Sequence, residues 1–260
     1  MTTEFLISDL VLLVAQAALV ALPGAGVPKV LERFRGPGWA LALPLSIAVV
    51  VGAIELVPAV ARALSWLALI AIPPLGAAAL GWAMRGARPV YAPLAAVLLV
   101  VGWNWQFTLG GDLALAALTA LSCVTLGRLL AGVVPLLWLE VGIVAMAVVD
   151  SILVFSNQLQ APNEVLNLAV PAVGLPQLQY LAMPHASLGY GDVFVAGVLG
   201  GVLAARRIPQ LPVAFLVLGL SIAWDTLFWV FDTLPATVPV AAALVIVRVS
   251  GRARVTPAAS

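Results

Sequence analysis

The segment Ser187-Leu188-Gly189-Tyr190-Gly191-Asp192-Val193-Phe194 contains an aspartate that directly follows a Gly-x-Gly pair. The same aspartate opens an apolar run, Val193 to Ala205, that ends at Arg206-Arg207. An ionisable side chain inside an apolar segment is costly in a bilayer, so such residues usually face polar partners and mark functional sites. The segment therefore indicates a site within a membrane and predicts a polar partner elsewhere in the chain.

The composition is that of a polytopic membrane protein. Of the 260 residues, 63% are hydrophobic and only 9% are charged, whereas soluble domains contain about 25% charged residues. The net charge of +1 provides no basic face for nucleic acid. A single cysteine, Cys123, and a single histidine, His185, exclude an internal disulfide framework and multi-histidine or thiolate metal sites. We expect a protein of the lipid bilayer that needs no metal or other cofactor.

Nine apolar segments approach the length of about 20 residues that a membrane-spanning helix needs. They cover residues 6–23, 38–60, 63–83, 89–108, 112–128, 132–156, 186–205, 210–231 and 234–250. The N-terminus lacks the positive region of a cleavable signal peptide, so we interpret the first segment as a span. The sequence predicts an all-α polytopic membrane protein with nine transmembrane helices.

The basic residues predict the orientation of these helices. Eleven of the twelve lie in alternate connections, and Arg62 is the exception. The eleven are Lys29, Arg33, Arg35, Arg85, Arg88, Arg128, Arg206, Arg207, Arg248, Arg252 and Arg254. Because basic residues concentrate in cytoplasmic connections, we predict an N-terminus outside, a cytoplasmic C-terminus and a multi-pass protein of the cell membrane.

The chain divides into two predicted bundles and a tail. Residues 1–131 form an N-terminal bundle of five helices, and residues 132–250 form a bundle of four that carries the candidate site. A long external connection, 157–187, joins the sixth and seventh helices. Its apolar piece, Val165 to Leu175, is too short to span and predicts a re-entrant or interfacial segment. Residues 251–260 are predicted to be disordered.

Asp150 is the predicted partner of Asp192. Asp192 lies 14 residues before Arg206, about 21 Å along a helix, and Asp150 lies 22 residues after Arg128, about 33 Å less any tilt. Both acids are thus expected in the external half of the bilayer, on consecutive antiparallel helices. Two neighbouring carboxyls in a low dielectric share one proton, so that only one charge remains.

The other acids have simpler interpretations. Those at predicted helix ends are solvated by headgroup water, and those within helices are interpreted as structural contacts between helices. The first set is Asp9, Asp112 and Asp232, and the second is Glu55, Glu140 and Asp225.

A carboxyl pair with one proton is suited to peptide hydrolysis. The charged carboxyl takes a proton from a water, and the neutral one hydrogen-bonds the peptide carbonyl and supplies a proton. Gly189 and Gly191 allow close approach of backbone, which an unwound substrate helix requires because its amides lose their own partners.

Three short motifs resemble those of the intramembrane aspartyl proteases of the Gly-x-Gly-Asp type, the presenilin and signal peptide peptidase family. Asp150 with Phe155 resembles the first catalytic motif, although Val149 replaces its usual tyrosine. Leu188-Gly189-Tyr190-Gly191-Asp192 resembles the second motif. Leu234-Pro235-Ala236-Thr237 resembles the Pro-Ala-Leu motif, with threonine in place of leucine. The likeness covers residues 132–250.

The resemblance implies an aspartic endopeptidase that cleaves within membranes. Its catalytic residues are Asp150 and Asp192, and its substrates are single-span membrane proteins or leader-peptide remnants. The residues that the resemblance implies for substrate binding are Gly189, Tyr190, Gly191, Leu234, Pro235, Ala236 and Thr237.

Other membrane proteins were weighed against this interpretation. The His-Glu-x-x-His motif of zinc proteases is absent, and His185 lies at the outer edge of a predicted helix rather than inside it, as a serine–histidine dyad requires. Prepilin-type peptidases cut near the cytoplasmic face, opposite the expected depth of the acids. A proton-coupled transporter or a structural protein that uses Asp150, Asp192, Glu140 and Asp225 stays open, as does the oligomeric state.

Overall fold

The protein is a mainly helical bundle with one short hairpin. A computed structural model describes residues 3–57, 59–231 and 233–253. The helices are α1 Thr3–Ala21, α2 Ala42–Leu56, α3 Ala59–Ala78, α4 Leu94–Asn104, α5 Leu109–Val133, α6 Leu136–Phe155, α7 Gln160–Leu168, α8 Tyr190–Ala205, α9 Gln210–Asp225 and α10 Val238–Ala253. The strands are β1 Tyr180–Met183 and β2 Ala186–Gly189. Short 3₁₀ turns extend several helices, among them Pro37–Leu41 before α2, Pro89–Tyr91 before α4 and Thr226–Trp229 after α9, and a π-helical turn, Ala79–Ala83, continues α3.

The helices confirm a membrane-embedded fold. In the described part of the chain, six helical segments are long and apolar enough to cross a membrane: Thr3–Ala21, Pro37–Ile54, Ala59–Ala83, Leu109–Val133, Leu136–Phe155 and Gln210–Trp229. Three apolar helices are shorter: Pro89–Asn104, Tyr190–Ala205 and Val238–Ser250. Each of the nine overlaps a predicted segment, while the number of spans and their orientation stay predictions.

Two predicted segments begin later in the structure than the sequence predicts: the seventh at Tyr190 instead of residue 186, and the ninth at Val238 instead of residue 234. The seventh was expected from residue 186, but residues 180–189 form an antiparallel hairpin in which Tyr180 pairs with Gly189. The turn falls at Pro184-His185, because proline cannot donate a ladder hydrogen bond. A short apolar strand next to an apolar helix has no periodicity of its own, so the sequence pattern merged the two.

Two further predictions meet the structure only in part. The apolar piece Val165 to Leu175 does not form one element, because α7 ends at Leu168. Helix α10 continues to Ala253, so residues 251–253 are helical rather than disordered, since one glycine near a helix end costs only about 1 kcal/mol. The rest of the predicted tail, and Asp232, lie outside the described residues. The division at residue 131 stays a prediction.

Helix α8 lies in the centre of the bundle, and its residues from Val195 to Leu203 are all buried. It packs closely against α5 through glycines. A Cβ atom on Gly127 would lie 2.1 Å from the Gly197 carbonyl oxygen, and a Cβ atom on Gly197 would lie 2.5 Å from the Cys123 carbonyl oxygen. Small residues of this kind let two helix backbones approach in a membrane, where packing replaces the hydrophobic effect.

The connections that carry the basic residues lie together at one end of the bundle. Arg128 donates to the Gly26 carbonyl at 2.7 Å and the Ala25 carbonyl at 3.0 Å, both in the connection after α1. Arg85, after α3, donates to Gln210 Oε1 at the start of α9 at 3.2 Å. The hairpin lies at the other end, where His185 Nε2 is 3.4 Å from the carboxylate of Glu4. The basic connections and the hairpin thus lie at opposite ends of the bundle.

We predict that Gly197→Ala destabilises the protein. The added Cβ meets backbone atoms of α5, which cannot rotate away, so the helices must separate at a cost of about 1–3 kcal/mol. Gly219→Ala in α9 is the matched control, because a Cβ there meets nothing within 4 Å and alanine favours helix more than glycine. Thermal unfolding in detergent measures both changes. An unchanged melting temperature for Gly197→Ala contradicts the packing account.

Candidate active site

Asp150 lies in α6 with only 2% of its surface exposed. Its Oδ2 accepts a hydrogen bond from Thr237 Oγ1 at 2.6 Å, and its carboxyl also accepts one from the Thr237 backbone N–H. Thr237 is fully buried and directly precedes α10. The carboxyl therefore lies at the N-terminal end of a helix, where free N–H groups and the helix dipole favour a negative group.

Asp192 is the third residue of α8 and accepts a hydrogen bond from the Gly189 backbone N–H, just before the helix. Acidic residues at this position commonly cap a helix in this way. A Cβ atom on Gly189 would lie 3.0 Å from Asp192 Oδ2, so the first glycine of the motif makes room for the carboxyl. This contact alone is common at the start of a helix. What distinguishes Asp192 is that Asp150 lies nearby.

Helices α6 and α8 face each other at the two acids. A Cβ atom on Gly191 would lie 3.3 Å from Met146 Cε, so the second glycine of the motif lies against α6. Met146 is one helical turn before Asp150 and shares its face of α6. The carboxyl of Asp150 interacts electrostatically with that of Asp192. The structure therefore brings the two predicted catalytic residues into one polar neighbourhood.

A second polar contact fixes the register of the three helices that carry the site. Glu140, at the opposite end of α6 and 6% exposed, accepts a hydrogen bond from Arg206 after α8 and lies 3.2 Å from Arg248 Nε on α10. Asp150 is ten residues, or about 15 Å, from Glu140, and Asp192 is fourteen residues, or about 21 Å, from Arg206. The long side chains of the ion pair absorb most of this difference, so the acids reach similar depth.

Of the predicted substrate-binding residues, Gly189 and Thr237 lie against the acids and Gly191 lies against α6, while the others adjoin them in sequence. Gly189 is exposed at the end of β2, whereas Leu234 and Pro235 are buried before Thr237. The Tyr190 hydroxyl lies 2.9 Å from Ser122 Oγ. Because that serine donates its own proton to the Thr119 carbonyl, the tyrosine is the donor. Tyr190 thus anchors the start of α8 to α5.

Thr237 has a different contact from the one its motif implies. The sequence places it where the related motif has leucine, and the resemblance assigns it to the substrate. In the structure its hydroxyl and backbone N–H are both directed to Asp150. A leucine cannot donate such a side-chain hydrogen bond, so this chain holds its first acid with a group of its own.

The sequence interpretation missed Gln16. This residue lies in α1 and is fully buried. Its Nε2 donates to the Asp192 carbonyl at 3.2 Å and to the Ala236 carbonyl at 3.1 Å. The available signal was an uncharged polar residue in the middle of an apolar span, since such residues usually bond to neighbouring helices.

The remaining acids lie apart from this pair. Glu140 is engaged by its two arginines, which confirms a structural contact between helices. The carboxyls of Asp9 and Asp225 interact with each other, joining α1 to α9. Asp112 is in the first turn of α5, and the side chain of Glu55 lies outside the described residues. A cavity of about 470 Å³ occupies the basic end, next to Arg85, Arg207 and Gln210, and the acids do not line it.

We predict that Thr237→Val lowers stability by about 1–3 kcal/mol, because the buried Asp150 carboxyl loses a hydrogen-bond donor. Thr226→Val is the control, since the Thr226 hydroxyl is exposed and bonds only the nearby Ala223 carbonyl. Thermal unfolding of the two variants in the same detergent tests the difference. Equal melting temperatures contradict a structural role for the Thr237 hydroxyl.

Comparisons with known proteins leave the site to be interpreted from its own geometry. No protein-family model, no curated protein and no solved structure matches this chain. The resemblance to the intramembrane aspartyl proteases therefore stays a prediction that rests on the three short motifs.

Proposed function

We propose that this protein is an intramembrane aspartyl protease, which hydrolyses peptide bonds within transmembrane helices or leader-peptide remnants. The observation that carries the proposal is the position of Asp150 and Asp192 on two facing apolar helices, close enough for their carboxyls to interact electrostatically. Functional pairs of this kind require fixed geometry first and a shared proton second.

The chemistry follows from a carboxyl pair that holds one proton. The charged carboxyl takes a proton from a water, and the water oxygen bonds to the carbonyl carbon of the scissile peptide. The neutral carboxyl hydrogen-bonds the carbonyl oxygen as negative charge develops there. When the C–N bond breaks, the leaving nitrogen takes a proton from the carboxyl pair, which then again holds one proton. No step requires a metal or a cofactor.

The site is less covered on the side of the hairpin than on the side of α6. Asp150 is enclosed, but Asp192 is partly exposed, and Ser187 and Gly189 on β2 are exposed. A peptide that approaches along β2 therefore reaches the Asp192 side of the pair first. The enclosed Asp150 keeps its position through Thr237 while the other side admits water and substrate.

Strand β2 provides a means of holding an extended substrate. It pairs with β1 along one edge, and among the described residues no strand pairs with its other edge. Residues 186–188 make no described backbone hydrogen bond outside the hairpin. An edge strand binds an extended peptide through main-chain hydrogen bonds, which replaces the helical bonds that a substrate loses when it unwinds.

The proposed membrane arrangement has nine spans, with the N-terminus outside and the C-terminus in the cytoplasm. It is supported by the meeting of the basic connections at one end of the bundle. By the positive-inside rule that end is cytoplasmic, so the acids and the hairpin lie toward the external side of the cell membrane. The proposed substrates are single-span membrane proteins or peptides.

A proton-coupled transporter is the second candidate. The observation that favours it is the contact between Asp9 and Asp225, because interacting carboxyls in a membrane also serve as proton carriers. A transporter needs both acid pairs for one proton path, whereas the proposed protease needs only Asp150 and Asp192. Variants of the two pairs therefore separate the candidates.

We predict that Asp150→Asn and Asp192→Asn each lower cleavage of a model single-span substrate by roughly 10²-fold or more, since each removes one partner of the acid–base pair. The purified full-length protein in detergent or liposomes is used, and products are identified by mass spectrometry. Asp225→Asn is the matched control and keeps wild-type cleavage. Cleavage that survives in either active-site variant rules out the protease, and proton-driven uptake that needs Asp225 favours the transporter.

The pH dependence of cleavage should be bell-shaped. Below the lower of the two apparent pKa values of the pair, both carboxyls are protonated and no base remains; above the upper one, both are charged and no acid remains. Activity therefore rises through the first and falls through the second. The profile is measured as kcat/KM, obtained from initial rates at a series of pH values. A rate that changes with a single ionisation contradicts a two-carboxyl mechanism.

A further inference from the structure

Gln16 connects the two segments that support the acids. One of its acceptors is the carbonyl of Asp192 itself, and the other is the carbonyl of Ala236, the residue before Thr237. Thr237 in turn holds Asp150. A single amide of α1 therefore binds the backbone of Asp192 and the backbone of the residue before Thr237.

The direction of the Gln16 amide follows from its partners. Both partners are carbonyl oxygens, which only accept hydrogen bonds, so the NH₂ end of the side chain must face them. The Oε1 atom then faces away, and it is buried without a hydrogen-bond partner. An unpaired buried acceptor lowers stability. Gln16 is thus used as a donor only, at the expense of stability.

Gln210 offers an internal comparison. It is also a buried glutamine, and its Nε2 also donates to two backbone carbonyls, those of Pro23 and Gly200, each at 3.0 Å. Its Oε1 is paired with Arg85. Gly200 is eight residues from Asp192, or about 12 Å along α8. Gln210 thus donates in the same way as Gln16, but it lies far from the acids. Both ends of its amide have hydrogen-bond partners, as expected for a glutamine with a structural role only.

The α1 backbone at Gln16 is held by its apolar face. Leu12, Leu19 and Val20 are buried on the same side of the helix as Gln16, each one turn away. The amide therefore projects from a helix whose position packing has already fixed. Its two hydrogen bonds then set how far the start of α8 lies from the segment before α10.

We propose that Gln16 is a positioning residue for the acid pair: it fixes the start of α8 against the Ala236–Thr237 segment and so sets the distance between the Asp150 and Asp192 carboxyls. This inference rests on the proposed function, since it assigns Gln16 to the reaction of that pair. The unpaired Oε1 is the cost of having both donors on the site side. Functional sites commonly retain such a cost where a purely structural position does not.

The test compares Gln16→Met with Gln210→Met in the full-length protein. Methionine keeps the length of the side chain and removes its amide. We expect Gln16→Met to lower kcat by roughly 10–100-fold with KM nearly unchanged, since a displacement of about 1 Å in a catalytic group costs up to about 10²-fold. Gln210→Met should lower the melting temperature and leave kcat at the wild-type value.

The width of the pH profile provides a readout that stability does not affect. Two carboxyls that interact strongly lose their protons at well-separated apparent pKa values, and weaker interaction brings the two values together. Gln16→Met should therefore narrow the bell, and Gln210→Met should leave its width unchanged. Gln16→Asn, which keeps an amide too short to reach both carbonyls, should have an intermediate kcat; it provides the measurement if Gln16→Met does not fold.

The outcomes separate this inference from the proposed function. If the wild-type protein cuts and the Asp→Asn variants do not, but Gln16→Met or Gln16→Asn keeps the wild-type kcat and bell width, the positioning role is wrong and the protease stands. If Gln16→Met and Gln210→Met lower kcat equally, Gln16 is structural only. If the wild-type protein cuts no single-span substrate, both proposals fail together.

Discussion

The structure depends on the need to satisfy a carboxyl inside an apolar bundle. Asp150 is 2% exposed, and a buried charge without donors costs several kcal/mol. The side chain and backbone of Thr237 supply those donors, which requires the start of α10 to lie against the middle of α6. Since α8 carries the second acid to the same place, one electrostatic requirement determines where three helices converge.

A matching contact at the other end keeps those helices in register. Glu140 on α6 meets Arg206 after α8 and Arg248 on α10, so the helices that bring Asp150, Asp192 and Thr237 together are also joined about 15–21 Å away. Separating a buried ion pair leaves an uncompensated charge, so this contact favours the arrangement in which all three groups meet. Between the two polar ends, apolar packing and the glycine contacts of α5 and α8 hold the helices close without directing their register.

The hairpin accounts for the different exposure of the two acids. Strand β2 ends at Gly189, and α8 begins at Tyr190, so Asp192 lies at a boundary between strand and helix where backbone is less fully covered. Asp150 lies within α6, where its neighbours enclose it. Asp150 is the more enclosed residue and Asp192 the less enclosed one, an asymmetry that fits the proposed hydrolysis of an extended peptide. The side-chain amide of Gln16 links the two sides through the backbone carbonyls of Asp192 and Ala236.

The sequence by itself determined the membrane class and the approximate position of each apolar helix, and it singled out Asp150 and Asp192, because apolar length and the cost of intramembrane charge are properties of single segments. It also predicted that Glu140 is a structural contact. It did not determine the hairpin, the bond from Thr237 to Asp150, the pairing of Asp9 with Asp225, or the role of Gln16. Those features depend on partners far apart in the chain; Gln16 is 176 residues from Asp192 and 220 from Ala236. Only the tertiary structure decided them, because a hydrogen bond between distant backbones leaves no local pattern in either segment.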